Sequence, residues 1–465
     1  MPNVVLWGRL LAGAASVCVA PSAIAAPQAS REAELEVRLQ QLEIAMAALR
    51  SELADTRAAQ RTMADQAAAS AEAAQKAQAR VAALEAKPAA PVEGFNVGGT
   101  TVRLNGFIKT VASGTRYDDG SVATGSLGKD FYLPQTIPVG GRSSKDFVAH
   151  GKQTRLWLST ATSVGTHTLK GLVEFDFQTS AGTQGSQRTT NGYNLALRRG
   201  FVTFDNLLVG QEWSNFQYVA ALPESTDFVG ATEGTVFVRE AQVRYTKRLS
   251  PATTLSVSAE NPETASITTA SPALVENDQD RTPDFTARLT LTEDSGELSL
   301  AGVIRDLSAD NGVASDTALG WGVSAAGKIG FGPDKRHDLR FMASYGDGIG
   351  RYLGLNFAPD AVFAGTPGSR LETVRNFAGF AALRIGWTPV LRSSIIGSYN
   401  KANYPSGIVI PDLANLRAWS TAVNLFWTLA NGFDVGAEYR HGERKLASGS
   451  SGQLDRIEFA AKYTF

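Results

Sequence analysis

Lys109, Arg155, Lys170, Arg244, Arg288, Arg305, Arg340, Arg384, Arg392 and Arg456 all fall within short segments that alternate polar and apolar side chains. Their neighbours include Leu156, Leu289, Ile304, Leu339, Leu383 and Ile457. Successive side chains of an extended strand point to opposite faces, so the charges share one face and the aliphatic groups the other. A guanidinium presents a rigid fork of donors matched to carboxylate or phosphate, and a ring of them around a wet lumen makes a path for small anions. Lys109, Arg155, Arg244, Arg288, Arg305, Arg340 and Arg384 are therefore expected as the basic lining. Glu174, Asp176, Glu240, Glu297, Glu438 and Glu458 fall on the same face. Their carboxylates could neutralise much of that charge, which leaves a solvated wall of paired ions as the competing expectation.

Other chemistry has little support. His150, His167, His337 and His441 are scattered, and no nucleotide loop, paired metal ligands or nucleophile motif occurs. The expectation is a non-enzyme without cofactor or bound metal. With 44 Lys+Arg against 45 Asp+Glu, a general nucleic-acid binder is not indicated.

The elements that would position the charges run from residue 102 to 465. About sixteen strand-like segments occur there, a count within the range of porin barrels. In the last, 454–465, Ile457, Phe459, Ala461, Tyr463 and Phe465 share one face, and Arg456, Glu458, Ala460, Lys462 and Thr464 the other. Apolar outside and charged inside is the pattern of a closed barrel in lipid. A charge on the lipid face would cost about 2–4 kcal/mol at the bilayer midplane. Tight connections such as Ser163–Thr166, Asp205 and Asp294–Ser295 alternate with longer ones, as at 112–152, 213–235, 261–282 and 347–373. Outer-membrane barrels sort short turns to the periplasm and long loops outside, and an even strand count puts both termini on the periplasmic side. Trp387, Trp427, Tyr463 and Phe465 lie beside short turns, and Trp321 and Trp419 near the long loops, as two interfacial girdles would require.

The region before the barrel divides in three. Residues 1–26 read as an export signal, with Arg9, an apolar core Leu10–Ala20 and small residues Ser22–Ala26. The apolar core is too short to span about 30 Å of hydrocarbon. Its Cys18 is the only cysteine, so the mature chain has no disulfide or thiolate site. Residues 28–87 carry an unbroken heptad register through Leu35, Leu42, Leu49, Thr56 and Met63 to Leu84, with Leu39, Met46, Leu53 and Val81 in the partner seam. This pattern predicts an α-helical coiled coil. Its polar middle makes a lone helix weak in water, and a solvated spacer is the alternative. Residues 88–101, with Pro88, Pro91 and Gly94, form a linker.

Several stretches carry a resemblance. Asn105-Gly106-Phe107-Ile108-Lys109 opens the first strand and Gln153-Thr154-Arg155-Leu156 the second. Leu207 to Phe216 reads LLVGQEWSNF, and Arg239 to Tyr245 reads REAQVRY. With the preceding coiled coil, the chain resembles the DcaP-like trimeric porins of Gram-negative bacteria. That resemblance implies a homotrimer in outer-membrane lipid, a periplasmic coiled coil, and passive uptake of small anionic solutes such as dicarboxylates. In general porins the third external loop enters the lumen. Here that loop is 213–235, and Glu224, Asp227 and Glu233 in it would face the basic wall across a constriction. Packing against trimer neighbours is the alternative for this loop. Adjacent Arg198 and Arg199 cannot both face inward from a regular strand, so either a bulge intervenes or, as favoured, one faces a neighbouring protomer. A structural or adhesive envelope protein, with the coiled coil as a cell-wall tether, is the competing function.

Overall fold

The computed structural model describes residues 94–178 and 192–465, together with Glu36, Glu43 and Met46 as isolated helical positions. The export signal, nearly all of the expected coiled coil and the span 179–191 lie outside the described residues.

The wall is antiparallel throughout. Its strands are β1 (Thr100–Tyr117), β2 (Ser144–His150 continued by Arg155–Val164), β3 (His167–Asp176), β4 (Ala196–Phe204), β5 (Leu207–Trp213), β6 (Arg239–Arg248), β7 (Thr253–Glu260) and β8 (Asp284–Glu293). The second half comprises β9 (Gly296–Asp310), β10 (Ser315–Phe331), β11 (His337–Asp347), β12 (Arg375–Gly386), β13 (Leu391–Asn403), β14 (Asn415–Ala430), β15 (Phe433–Leu446) and β16 (Ser451–Thr464). The main sheet has 18 hydrogen-bonded segments. Two of these are the halves of β2 and one is a short arm, Phe95–Val97, which leaves sixteen wall strands. All sixteen coincide with segments that the alternation predicts.

β1 closes the barrel. One edge pairs with β16, from Phe107↔Thr464 to Tyr117↔Leu454, and the other with both halves of β2. Phe465 N donates to Gly106 O at 3.0 Å and Gly106 N to Phe465 O at 3.1 Å, so pairing continues to the last residue. Below it, Phe95–Val97 pairs with Thr100–Val102. In hydrocarbon an unpaired edge leaves backbone groups without partners, and only a closed sheet avoids this. Residues 151–154 bulge out of β2, where Thr154 Oγ1 accepts from Lys109 N at 3.2 Å in place of a ladder bond.

Side chains follow the expected division. Leu300, Ile304, Ile395 and Phe459 stand exposed on the outside, whereas Ser299, Ser394 and Glu458 are buried inside. Trp387, Trp427, Tyr463 and Phe465 face outward at the short-turn end, and Trp321 and Tyr345 outward at the other. The tight turns need little sequence. Asp205 closes one at φ 50°, in the left-handed region that Asp tolerates.

The first external connection is shorter than expected. It spans 118–143 rather than 112–152, because β1 continues to Tyr117 and β2 begins at Ser144. The outward residues of upper β1 are Ala112 and Gly114 against inward Ser113 and Thr115, too little contrast in polarity to mark a strand.

Two external connections turn into the barrel. Residues 214–238 lie against the inner wall, where Phe216, Tyr218, Ala221, Ala231 and Val236 pack on Ala301, Ala326, Met342, Ala378, Phe380 and Ala422. Small inward residues on β9 to β14 make room for it. At Gly234 a Cβ would lie 2.2 Å from the backbone of Gly379, so only glycine allows this approach. From the connection 118–143, Tyr132 packs on Gly442 and Phe131 on Phe228. The connections 261–283 and 348–374 form a separate four-stranded sheet from Val275–Glu276, Ala265–Ile267, Ala361–Phe363 and Leu371–Thr373.

Candidate functional site

The inward loop packs on β9 to β14 and leaves two open spaces, one against β2 to β8 and one beside β8 to β12 toward the short-turn end. The first is a chamber of about 470 Å³, lined by five arginines (Arg155, Arg199, Arg239, Arg244 and Arg288) and two carboxylates, Glu174 and Glu212. Trp213, Tyr218, Phe228 and Phe237 supply its apolar wall.

These arginines differ in how far they are neutralised. Arg155 is held by Glu174 at 3.1 Å and Asp176 at 2.7 Å. Arg199 pairs with Glu174 and, at 3.4 Å, with Glu212. Arg244 donates only to neutral acceptors, Gln242 Oε1 at 2.9 Å and the Trp213 carbonyl. Arg288 donates through Nη1 to the Gln217 carbonyl, and its Nε has no partner. Arg239 stacks on the Trp213 ring at 3.6 Å, and its Nε and Nη2 meet no acceptor. A cation stacked on an indole is stabilised by the face of the ring, here with no carboxylate of the described residues beside it to neutralise it.

A second chamber of about 690 Å³ lies toward the short-turn end, lined in part by Glu224, Glu293, Glu297, Lys328, Arg340 and Arg384. Ala220 of the inward loop lines both chambers. The loop is pinned at this point. Arg340 Nη1 donates to Leu222 O at 2.6 Å, and the Tyr218 hydroxyl donates to Glu297.

The expected site residues are thus divided among several environments. Arg155, Arg244 and Arg288 line the first chamber, and Arg340 and Arg384 the second. Lys109 is buried under the loop and donates to Thr226 O at 2.6 Å. Arg305 does not line the lumen. It is fully buried between Asp284 and Asp360, each at 2.9 Å, and holds the connection 348–374 to the wall. Inward alternation placed it correctly on its strand, but the loop above covers it.

The three loop carboxylates also part company. Glu224 faces basic wall, bridging Arg392 at 2.7 Å and Arg384 at 3.3 Å. Asp227 instead accepts from Tyr132 N at 2.6 Å and from Val229 N and Gly230 N, which shapes the loop itself. Glu233 accepts from the Tyr132 hydroxyl and from Ser420 Oγ at 3.0 Å. Burial first, and the Glu233 charge second, hold the Tyr132 phenol well above its ordinary range, so it stays a donor. An acidic loop uniformly opposed to a basic wall is therefore corrected to one such contact, at Glu224.

Arg198 and Arg199 settle on the bulge rather than a protomer contact. The register shifts between Glu174↔Arg199 and Phe175↔Leu197, and both side chains turn inward. Arg198 Nε reaches Asp176 at 2.7 Å, and Arg199 Nε reaches Glu174 at 2.8 Å. Arg239 and Trp213 escaped the alternation because each lies where a strand gives way to the inward loop.

A closed sixteen-stranded barrel with an inward third loop and an arginine-lined lumen is the architecture of an outer-membrane porin. The model of the DcaP outer membrane protein family matches residues 124–465, and the chain belongs to that family. Its fold resembles the outer membrane channel DcaP of Acinetobacter baumannii, at 26% identity and a TM-score of 0.65, over 80% of this chain and 100% of that one. OmpT of Vibrio cholerae matches at 11% identity and a TM-score of 0.49, over 80% of this chain and 100% of that one. OmpF of Salmonella typhi matches at 12% and 0.48, over 79% and 98%. No curated protein sequence matches the chain. The protein is a porin of the outer membrane of a Gram-negative bacterium, and the family and fold are those of channels rather than enzymes.

Proposed function

We propose that this porin passes small solutes by diffusion with a preference for anions, dicarboxylates among them. The reading rests on the first chamber, where five guanidiniums meet two lining carboxylates and Arg239, Arg244 and Arg288 have no acid partner among the described residues. Unneutralised charge beside low-dielectric walls raises the local concentration of counter-ions. Residues 214–238 act as the constriction, with Arg155, Arg244 and Arg288 on one side of the turn at Ala220 and Arg340 and Arg384 on the other. Lys109 and the loop residues Asp227 and Glu233 hold the constriction in place, and Glu224 tempers the second chamber.

Export by residues 1–26, a periplasmic coiled coil over 28–87 and a homotrimer complete the proposal. Outward Trp and Tyr residues mark the upper rim of β10 to β15, at Trp321, Tyr345 and Tyr439. The same height on β1 to β7 carries Ala112, Gly114, Ala149 and Ala241, with Phe147 exposed beside Gly114. Interfacial Trp and Tyr belong where lipid headgroups lie, so this arc of small residues and one apolar ring suits a neighbouring protomer. Planar-bilayer recording in a salt gradient tests the channel: reversal toward the anion potential, in conductance steps of three, is expected. Cation reversal would refute the selectivity, and protein that still runs as a monomer after crosslinking would refute the trimer. Liposome swelling with neutral, mono-anionic and di-anionic solutes of equal size checks the dicarboxylate preference, which fails if the neutral solute enters fastest.

A further inference from the structure

One inward arginine stands apart from both lumen chambers. Arg444 lies near the external end of β15 and faces a cavity of about 430 Å³ enclosed by the connections 118–143, 261–283, 348–374 and 404–414. Its Nε donates to Asn415 Oδ1 at 2.6 Å and its Nη1 to Ile137 O at 2.9 Å. Both acceptors are neutral, no carboxylate of the described residues lies within ion-pair distance, and Nη2 has no acceptor among them. The guanidinium therefore brings an uncompensated charge to a partly enclosed space.

The rest of the lining complements it. Leu274, Phe357, Tyr404 and Leu413 give the cavity an apolar flank. Gln135 and Asn356 also line it, and Gln135 Oε1 and Asn356 Oδ1 are buried without a donor. Buried acceptors of this kind are costly to leave unmatched, and rotation of either amide toward the cavity would let a ligand N–H or O–H satisfy it. A small pocket with an apolar wall and a few convergent polar groups is the ordinary form of a ligand site.

We propose that this cavity is an external binding site, separate from the pore constriction, for a small organic carboxylate that carries an apolar body and a hydrogen-bond donor. The carboxylate docks on the free edge of Arg444, the donor meets Gln135 and Asn356, and the apolar body rests against Leu274 and Leu413. A solute held here lies at the outer mouth, ahead of the arginine chambers.

Saturation-transfer NMR on the full-length protein in detergent, with N-acetyl-L-leucine as probe, tests this. Transfer to the isobutyl methyls is expected. Arg444→Gln should weaken binding at least fivefold, and Arg288→Gln, in the pore chamber, by less than that. N-acetyl-L-leucinamide, which lacks the carboxylate, should bind at least fivefold more weakly to the natural chain. Arg444 also supports two loops, so Leu413→Asp provides a second variant; this exposed side chain touches no such bond, and its carboxylate should repel the probe. Equal binding by the natural chain and the folded variants would overturn the site, as would loss of binding in Arg288→Gln alone. Either result leaves the pore's ion selectivity, read by reversal potential, to stand or fall separately.

Discussion

Arg239 and Arg288 offer the cleanest test of selectivity because replacing them strands no buried acid. Their described hydrogen-bond acceptor is a single carbonyl, that of Gln217. Changing both to Gln takes the first chamber from five guanidiniums against two carboxylates to three against two, a fall from +3 to +1. A unit charge about 7 Å from a passing ion contributes about 0.6 kcal/mol in water. Screening with a Debye length of about 10 Å at 0.1 M halves this, to about 0.3 kcal/mol. Anions lose that amount and cations gain it, so each charge removed lowers the anion-to-cation permeability ratio roughly threefold, and two lower it about sevenfold. The low-dielectric wall makes this a minimum. Reversal potentials in a salt gradient read the ratio directly. Near 1 M the Debye length falls to about 3 Å and the difference between natural and variant channels should nearly vanish. If the double variant conducts normally at 0.1 M with an unshifted reversal potential, this chamber does not set selectivity. Arg155→Gln is a poorer probe, since it would leave Glu174 and Asp176, both buried, with less compensation.

Arg305→Leu should destabilise the barrel by about 3–5 kcal/mol, because it leaves Asp360 buried without its cation and Asp284 with only Arg351, at 3.8 Å; a heat-modifiability transition at the natural temperature would contradict this. Glu224→Gln leaves Arg384 with Asp338 alone and Arg392 with Asp434 alone, removes one negative charge from the second chamber and should make the channel more anion-selective at low salt; a shift toward cations would show that Glu224 does not temper these charges. Phe465→Ser should lower the amount of folded protein in the outer membrane, since it removes an outward aromatic anchor at the strand that closes on β1; undiminished folded bands on gels would count against it.

The wall was legible because lipid outside and water inside impose a strict period of two. Leu289, Ile304 and Ile457 advertise the outer face, and the charged neighbours of each follow by geometry. The period weakens where small residues face outward, which is why upper β1 read as loop. It also carries no information about what lies above an inward side chain. Arg288 and Arg305 both point inward from neighbouring strands, at different heights, yet one lines a chamber and the other is sealed by Asp360 of a distant connection. A bulge such as that at Arg198 leaves a pair of adjacent arginines in the sequence but does not say which way it resolves.

A count of lumen arginines is therefore a poor measure of the field in the pore. In a narrow barrel the inward loops need anchors, and the buried wall charges supply them: Lys109 on Thr226, Arg340 on Leu222, and Arg384 and Arg392 on Glu224. What remains for solutes is set by which strands the loops leave uncovered. The alanines at 301, 326, 378 and 422 decide that here, because only small side chains let residues 214–238 lie flat on β9 to β14. Of the two spaces left open, the one on β2 to β8 holds Arg239 and Arg288, which lack acid partners among the described residues. In this reading the small residues of one half of the barrel place the selectivity of the other.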